Sequence, residues 1–236
     1  MDVGRRQELV YAITHKLLLP KDQGRYPGAH SEPFFYTTAC GEELVLLRAR
    51  EKAFVEGYRK QQLLYPFLRT LQLPVNTAAK LELIEHGEDT YAVMERFFGY
   101  HHTPQRFGQA TEEQQKKFVR QVAFFFYRLH TTPLESLPKG VDFTPYFSSA
   151  ADDGAMDEVF LHADFNYSNF LVDDDYNLHA VFDWHPACIG PRLAEFATFI
   201  YCNDLPMLPL VLAEYNRLAG SSLTADQALS HYQARR

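Results

Sequence analysis

The sequence predicts an α+β chain in two parts, a sheet-bearing part over residues 1–98 and a mostly helical part over residues 99–236. Three observations predict it. Short apolar runs bounded by turn residues crowd the first part, 3.6-residue periodicity dominates the second, and Glu95 to Gly99 reads as a crossover between them.

Along the first part, the stretch from Gly28 to Thr38, then Cys40-Gly41, then Glu43 to Arg48 reads as loop, strand, turn and strand. Phe54, Tyr58, Gln61, Gln62, Tyr65 and Leu68 recur at helical spacing, and Leu73-Pro74-Val75 closes that region because proline disfavours helix at the residue before it. Glu82 to Ile84 and Tyr91 to Met94 are strands around the turn His86 to Asp89.

In the second part, Thr111 with Gln114 carries the signature of a capping box. Phe118, Val122, Phe125 and Leu129 then line one face, and Val119, Ala123 and Phe126 widen it, so this helix is expected to be buried, with His130 at its end near the last carbonyls. Residues 133–153 carry Pro, Gly and Ser punctuation and read as an irregular connection. Val159-Phe160-Leu161 and Phe170-Leu171-Val172 are short buried strands, and residues 173–177 are a turn. Leu178, Ala180 and Phe182 alternate with His179, Val181 and Asp183, which returns a second strand. Leu193, Phe196, Ala197, Ile200 and Tyr201 follow helical spacing, with Pro191 suited to an opening turn. Two more helices are expected over 206–218 and 223–232.

Composition narrows the class. The 236 residues are 46% hydrophobic and 14% aromatic, enough to build one large or two small cores. A formal net charge of -7 argues against a sequence-independent nucleic-acid binder, which needs a basic surface to displace counterions. Cys40, Cys188 and Cys202 are widely spaced with no Cys-x-x-Cys pair, as expected for reduced thiols in a cytoplasmic protein. The first residues lack an apolar leader, and no run approaches the length of a membrane span.

The segment from Val159 to Ala197 declares a chemistry. His162-Ala163-Asp164 is followed five residues after the Asp by Asn169, and then by Asp183-Trp184. Phosphoryl transfer needs little covalent help from a protein; it needs one carboxylate to orient the hydroxyl acceptor and other oxygens to hold Mg²⁺ against nucleotide phosphates. Asp164 suits the first task, and Asn169 and Asp183 the second. The spacing reproduces the His, Asp and Asn of the kinase catalytic loop H-R-D-x-x-x-x-N, with Ala163 in place of the Arg, which argues against a phosphorylation-controlled protein kinase. The hairpin should set Asp183 near Asn169, and the helix after Pro191 should brace it. His162 is expected to be a buried supporting histidine, and His185 a residue that could face the acceptor.

His162-Ala-Asp164-Phe-Asn-Tyr-Ser-Asn169-Phe-Leu, Val181-Phe-Asp183-Trp184, Gly190-Pro191 and Glu195-Phe196-Ala197 together resemble the aminoglycoside phosphotransferase and choline kinase family. The resemblance implies a bilobal protein-kinase-like fold with a small β-sheet N-lobe and a helical C-lobe, ATP held between them, and Mg²⁺ as cofactor. It gives Asp164 the role of catalytic base, Asn169 and Asp183 those of magnesium ligands, and His162 that of loop support. Two departures stand out: many members place Gly where Ala163 stands, and Gly190-Pro191-Arg192 replaces the frequent Gly-Asp-Pro.

The same resemblance sets expectations upstream. Gly28 would supply a flexible point in a nucleotide-phosphate loop, and Arg48 would stand where the family has a phosphate-contacting Lys or Arg. The backbone of Glu95, Arg96 and Phe97 would pair with a purine edge. The helix acid that should pair with the cation is missing; Glu56, one turn earlier, or the neutral Gln61 or Gln62 would have to serve. The short tail after Leu205 leaves room for an acceptor pocket completed by a partner subunit. Acidic residues at 152–153, 157–158 and 173–175 would draw a cationic acceptor such as an amino alcohol or aminoglycoside.

The resulting expectation is an ATP- and Mg-dependent phosphotransferase acting on a small-molecule hydroxyl. The alternative is a nucleotide-binding, kinase-like protein with weak or no catalysis and a regulatory or assembly role. A third reading gathers His162, Asp164, His179, Asp183 and His185 into a transition-metal hydrolase site.

Overall fold

A computed structural model describes residues 3–15, 17–20, 31–49, 51–145, 158–202 and 204–233. The chain divides into two compact units, one of residues 1–66 and 78–97, the other of residues 67–77 and 98–236. The first is a sheet unit and the second mostly helical, the α+β class that the periodicities predict.

The first unit begins with a helix the sequence pattern does not announce, α1 (Val3–Thr14). Five antiparallel strands follow, β1 (Leu19–Pro20), β2 (Ser31–Thr37), β3 (Glu43–Ala49), β4 (Glu82–His86) and β5 (Asp89–Glu95), in the order β1-β2-β3-β5-β4. Because side chains alternate along a strand, Leu44 and Leu46 of β3 share one face with Tyr91 and Val93 of β5, and that face closes over Leu9 and Ile13 of α1. The helix lacks a strong apolar stripe of its own. Besides that burial it is held by charge: Arg5 bridges Glu42 at 2.8 Å and Glu82 at 3.0 Å, while Glu8 accepts from the Tyr36 hydroxyl and the Ala39 amide.

The helix α2 (Lys52–Thr70) buries Tyr58, Gln61, Leu64, Tyr65 and Leu68 at the spacing read from sequence. Residues 67–77 group with the second unit for local reasons. Phe67 packs edge-on against Phe160 at 6.3 Å, and an Arg128 guanidinium nitrogen donates to the Leu71 carbonyl at 2.6 Å.

The second unit contains β6 (Tyr100–His101), α3 (Pro104–Gln109), α4 (Glu112–His130), a 3₁₀ turn (Leu134–Ser136), β7 (Glu158–Leu161), β8 (Phe170–Val172), β9 (Leu178–Val181), β10 (Cys188–Pro191), α5 (Leu193–Tyr201), α6 (Met207–Ala219) and α7 (Ala225–Gln233). The capping box is present at the start of α4: Thr111 accepts from the Gln114 amide and Gln114 from the Thr111 amide. His130 ends that helix as expected, and it is buried and bonded to the Tyr215 hydroxyl at 2.8 Å, because α6 packs along α4 and covers it.

Strands β6, β8 and β9 form one small antiparallel sheet, and β7 pairs with β10 in another. Gly99 permits the approach of β6 to β8, since a Cβ there would lie 2.7 Å from the Val172 carbonyl oxygen. Asn76 adds a parallel bridge to Ala180, so the stretch after α2 lies beside β9. Pro191 ends β10 rather than opening a helix, and α5 begins at Leu193; the β7–β10 pair is the strand pairing the sequence pattern misses. Among the described residues no helix is long and apolar enough to cross a membrane.

Candidate active site

Three short strands converge on the loop His162 to Asn169 and on Asp183. β7 ends at Leu161 with Val159 to Leu161 buried, which delivers His162 into the interior. β8 leaves the loop at Phe170, and β9 returns so that Phe170 faces Val181 and the Phe182 amide donates to the Asn169 carbonyl at 3.0 Å. Asp183 therefore follows directly from a residue bonded to Asn169. The turn that makes this register possible is organised by Asp173, whose carboxylate accepts from the amides of Asp175 at 3.0 Å and Asn177 at 2.8 Å and from the Asn177 side chain.

Within the loop the Asp164 carboxylate is gripped on both oxygens, by the Asn166 side-chain amide and by the Asn169 side-chain amide, each at 2.7 Å. Asn169 also donates to the Asp164 carbonyl at 2.9 Å. With its nitrogen committed to two acceptors, the Asn169 amide turns its oxygen away from Asp164. Burial raises the Asp164 carboxyl above its ordinary value, and the Asp183 charge adds to this, against the bonds from the two asparagines that pull it down. Asp183 is part-exposed and its Oδ1 lies 2.7 Å from His185 Nδ1.

His162 is wholly buried. Its Nδ1 accepts from the Asp164 amide at 3.2 Å and its Nε2 donates to the Phe182 carbonyl at 3.1 Å, a partner set that assigns the neutral Nε2–H tautomer. The ring stands edge-on against the buried Trp184 at 4.5 Å. One imidazole thus ties the Asp164 loop to the residue before Asp183.

Two backbone positions here are left-handed, Ala163 with φ 64° and Asp183 with φ 63°. Asp tolerates that region better than most residues, whereas Ala carries a Cβ penalty. A glycine at this position would carry no such penalty. Ala163→Gly is expected to stabilise the fold by about 1 kcal/mol, the αL penalty of an L-residue less glycine's extra chain entropy, and to raise Tm by roughly 2–4 °C. Thermal unfolding of the two proteins checks it.

The residue that holds this strained turn is one the sequence reading placed only within a motif. Glu195 of α5 is fully buried, and its carboxylate accepts from the His162 amide at 2.8 Å and the Ala163 amide at 3.2 Å. His130 Nε2 lies 4.0 Å from the Glu195 carboxylate, and burial pushes the His130 pKa down against the pull of Glu195. The signal was available in part, since an acid three residues into an apolar helix asks for a buried partner. Which amides it meets is a tertiary fact.

The upstream expectations fare differently. Gly28 lies outside the described residues, as do Asp152, Asp153 and Asp157. Arg48 shares the face of Leu44 and Leu46, the side covered by α1, and its guanidinium pairs with Asp89 at 2.9 Å. Glu56 is not its partner: it is exposed and pairs with Arg59 one turn along α2, because its side chain points to solvent. Gln61 is buried and accepts from the Tyr65 hydroxyl at 3.0 Å, while Gln62 is exposed. Of the backbone from Glu95 to Phe97, the Arg96 amide is committed to the Glu43 carbonyl at 3.0 Å, which prolongs the β3–β5 ladder. The Arg96 guanidinium pairs with Glu43 and lies 3.9 Å over the Phe35 ring, and the Glu95 carboxylate accepts from the Ala79 amide. Among the described residues no three His, Cys, Asp or Glu side chains converge as the hydrolase reading requires: His179 bonds Asn76, away from Asp164.

Comparison with known proteins agrees with the loop. Residues 142–231 match the model of the phosphotransferase enzyme family. No curated protein matches the chain by sequence. Among solved structures, the GDP and kanamycin complex of APH(2'')-IIia superposes with a TM-score of 0.73 at 12% identity, covering 99% of this chain and 88% of that one. The streptomycin-ATP-APH(2'')-IIa ternary complex gives 0.67 at 13% identity over 99% and 86% of the two chains. Macrolide 2'-phosphotransferase MphH from Brachybacterium faecium gives 0.64 at 16% identity over 96% and 87%. The chain thus carries, over its last two-fifths, the sequence signature of the phosphotransferase enzyme family, on the fold of the aminoglycoside and macrolide phosphotransferases.

Proposed function

We propose that the protein transfers the γ-phosphoryl group of a purine nucleoside triphosphate, ATP first, to a hydroxyl of a small molecule, with Asp164 as base and Asn169 and Asp183 as magnesium ligands. The observation that carries this reading is the Asp164–Asn169 bond of 2.7 Å, set beside Asp183 by one hairpin. In the reaction the acceptor O–H donates to Asp164, its oxygen bonds the γ-phosphorus as the bond to the departing diphosphate breaks, and the proton passes to the carboxylate. A carboxyl held above its ordinary value by burial suits that task.

The donor set fits magnesium. Asn169 Oδ1 and the Asp183 carboxylate are hard oxygen ligands, and the Asp183 charge that raises Asp164 is the kind of charge a divalent cation offsets. When bound, the ion would neutralise charge on the phosphate oxygens. His162 and Glu195 keep the loop in place behind these groups, and His185, bonded to Asp183, is positioned to orient that carboxylate.

A second reading, nucleotide binding with little catalysis, is favoured by two observations. Arg48 is drawn to Asp89 on the α1 side of the sheet, and α2 offers Gln61 where an acid is expected. A thermal-shift screen of ATP and GTP with magnesium, crossed with amino alcohols, aminoglycosides, macrolides, sugars and hydroxy amino acids, followed by a transfer assay on each stabilising pair, tests both. Transfer to one acceptor class supports the first reading. Magnesium-dependent stabilisation by nucleotide with no transfer to any acceptor favours the second.

A further inference from the structure

Outside the proposed catalytic groups, two adjacent histidines of the second unit close on the Asp164–Asn169 loop from its far side. His101, the last residue of β6, donates from Nδ1 to the Tyr167 carbonyl at 3.0 Å; a carbonyl only accepts, so Nδ1 carries the proton. The same ring stands edge-on to Phe182 at 6.5 Å. His101 therefore touches both halves of the site, the loop through Tyr167 and the Asp183 strand through Phe182. Its register opposite Leu171 of β8 explains how, since the strand between the two halves is the one β6 pairs with.

His102 adds a buried anchor. Its ring lies 4.7 Å from that of Tyr167 and stacks on Phe118 at 5.1 Å with planes 12° apart. Nε2 faces Asp204 at 3.3 Å and Nδ1 meets the Tyr176 hydroxyl at 2.9 Å. Both Asp204 and His102 are buried, so the pair cannot swing into solvent without leaving a charge or donor unsatisfied in the core. Tyr176 sits in the β8–β9 turn and Asp204 after α5, so His102 links three segments around Tyr167. Burial and then the neighbouring Asp204 carboxylate push the Tyr167 hydroxyl pKa up, so the acid that His102 faces also faces Tyr167.

We propose that His101 is a positioning residue for phosphoryl transfer, holding the Asp164–Asn169 loop in register with Asp183 through the Tyr167 carbonyl, with His102 as its buried anchor. This rests on the proposed function, and the experiment separates the two. His101→Phe keeps an aromatic ring beside Phe182 and removes the donor; His101→Asn keeps a donor at about the Nδ1 position. Hydrogen exchange is read at the amides of Asn166, Ser168 and Asn169, each bonded within the loop, together with Tm and Mg-dependent ATP turnover. The expected result is exchange about tenfold faster in His101→Phe at unchanged Tm, with kcat about tenfold lower and KM for ATP within twofold, and restoration of all three in His101→Asn. Unchanged loop exchange in His101→Phe overturns the proposal, as does equal loss in both variants. If the wild type shows no turnover, the functional reading fails while the exchange data still decide whether His101 holds the loop.

Discussion

Asp164→Asn is expected to lower kcat for phosphoryl transfer by roughly 10²–10⁴-fold, the range a positioned general base contributes, while nucleotide affinity stays within about threefold. The Asn side chain keeps the volume of the Asp, its one oxygen can still accept from Asn166 or Asn169, and Asn169 keeps its bond to the carbonyl of residue 164, so most of the loop's bonding is retained. What it loses is the lone pair that takes the acceptor proton. Radiolabel transfer from γ-labelled nucleotide measures the first quantity and calorimetric titration with magnesium nucleotide the second. A variant as active as the wild type would remove Asp164 from the mechanism; a variant that also loses nucleotide would make it a binding residue.

The second large effect is expected at Glu195. Glu195→Ala strands the amides of His162 and Ala163 and releases a contact that helps to hold a left-handed alanine in place. An unsatisfied buried backbone donor costs about 1–3 kcal/mol, so a loss of roughly 3–5 kcal/mol and a fall in Tm of roughly 10 °C are expected for a chain of this size. Glu195→Gln retains one acceptor oxygen and should lose about half as much. The double change Ala163→Gly with Glu195→Ala tests the coupling: if Glu195 serves to restrain a strained turn, glycine relieves part of the need, and the two effects will not add. Additive effects would mean that the carboxylate stabilises the fold through its burial alone. Calorimetric unfolding of the four proteins gives the cycle.

The β8–β9 hairpin was legible because its determinants are local. Alternation from Leu178 to Ala180, the buried run Phe170 to Val172 and the acidic turn between them favour the pairing that brings Phe182 to Asn169, although β9 ends at Val181, which is buried where the alternation would expose it. The same holds for the capped helix from Thr111, where side chain and backbone three residues apart close the box. Arg48 shows the opposite case. A cation at the end of an apolar strand reads the same whichever face it projects from, and only the register of β3 against β2 and β5, with α1 laid over one face, shows that it meets Asp89. Helix α1 itself was silent, because its apolar stripe is short, Leu9, Ala12 and Ile13, and the ion pairs from Arg5 to Glu42 and Glu82 that add to it are long-range.

By itself the sequence determined the α+β class, the hairpin with the helix that follows it, and the side chains that are proposed to orient a hydroxyl and bind a hard cation. Only the tertiary structure decided that Glu195 holds the left-handed turn, that His101 and His102 close on Tyr167, and that Arg48 faces Asp89. The physical reason is range. Alternation, capping and turn chemistry act over a few residues and are written in the spacing, whereas a buried carboxylate or imidazole finds its partner tens of residues away, by a packing that no local pattern records.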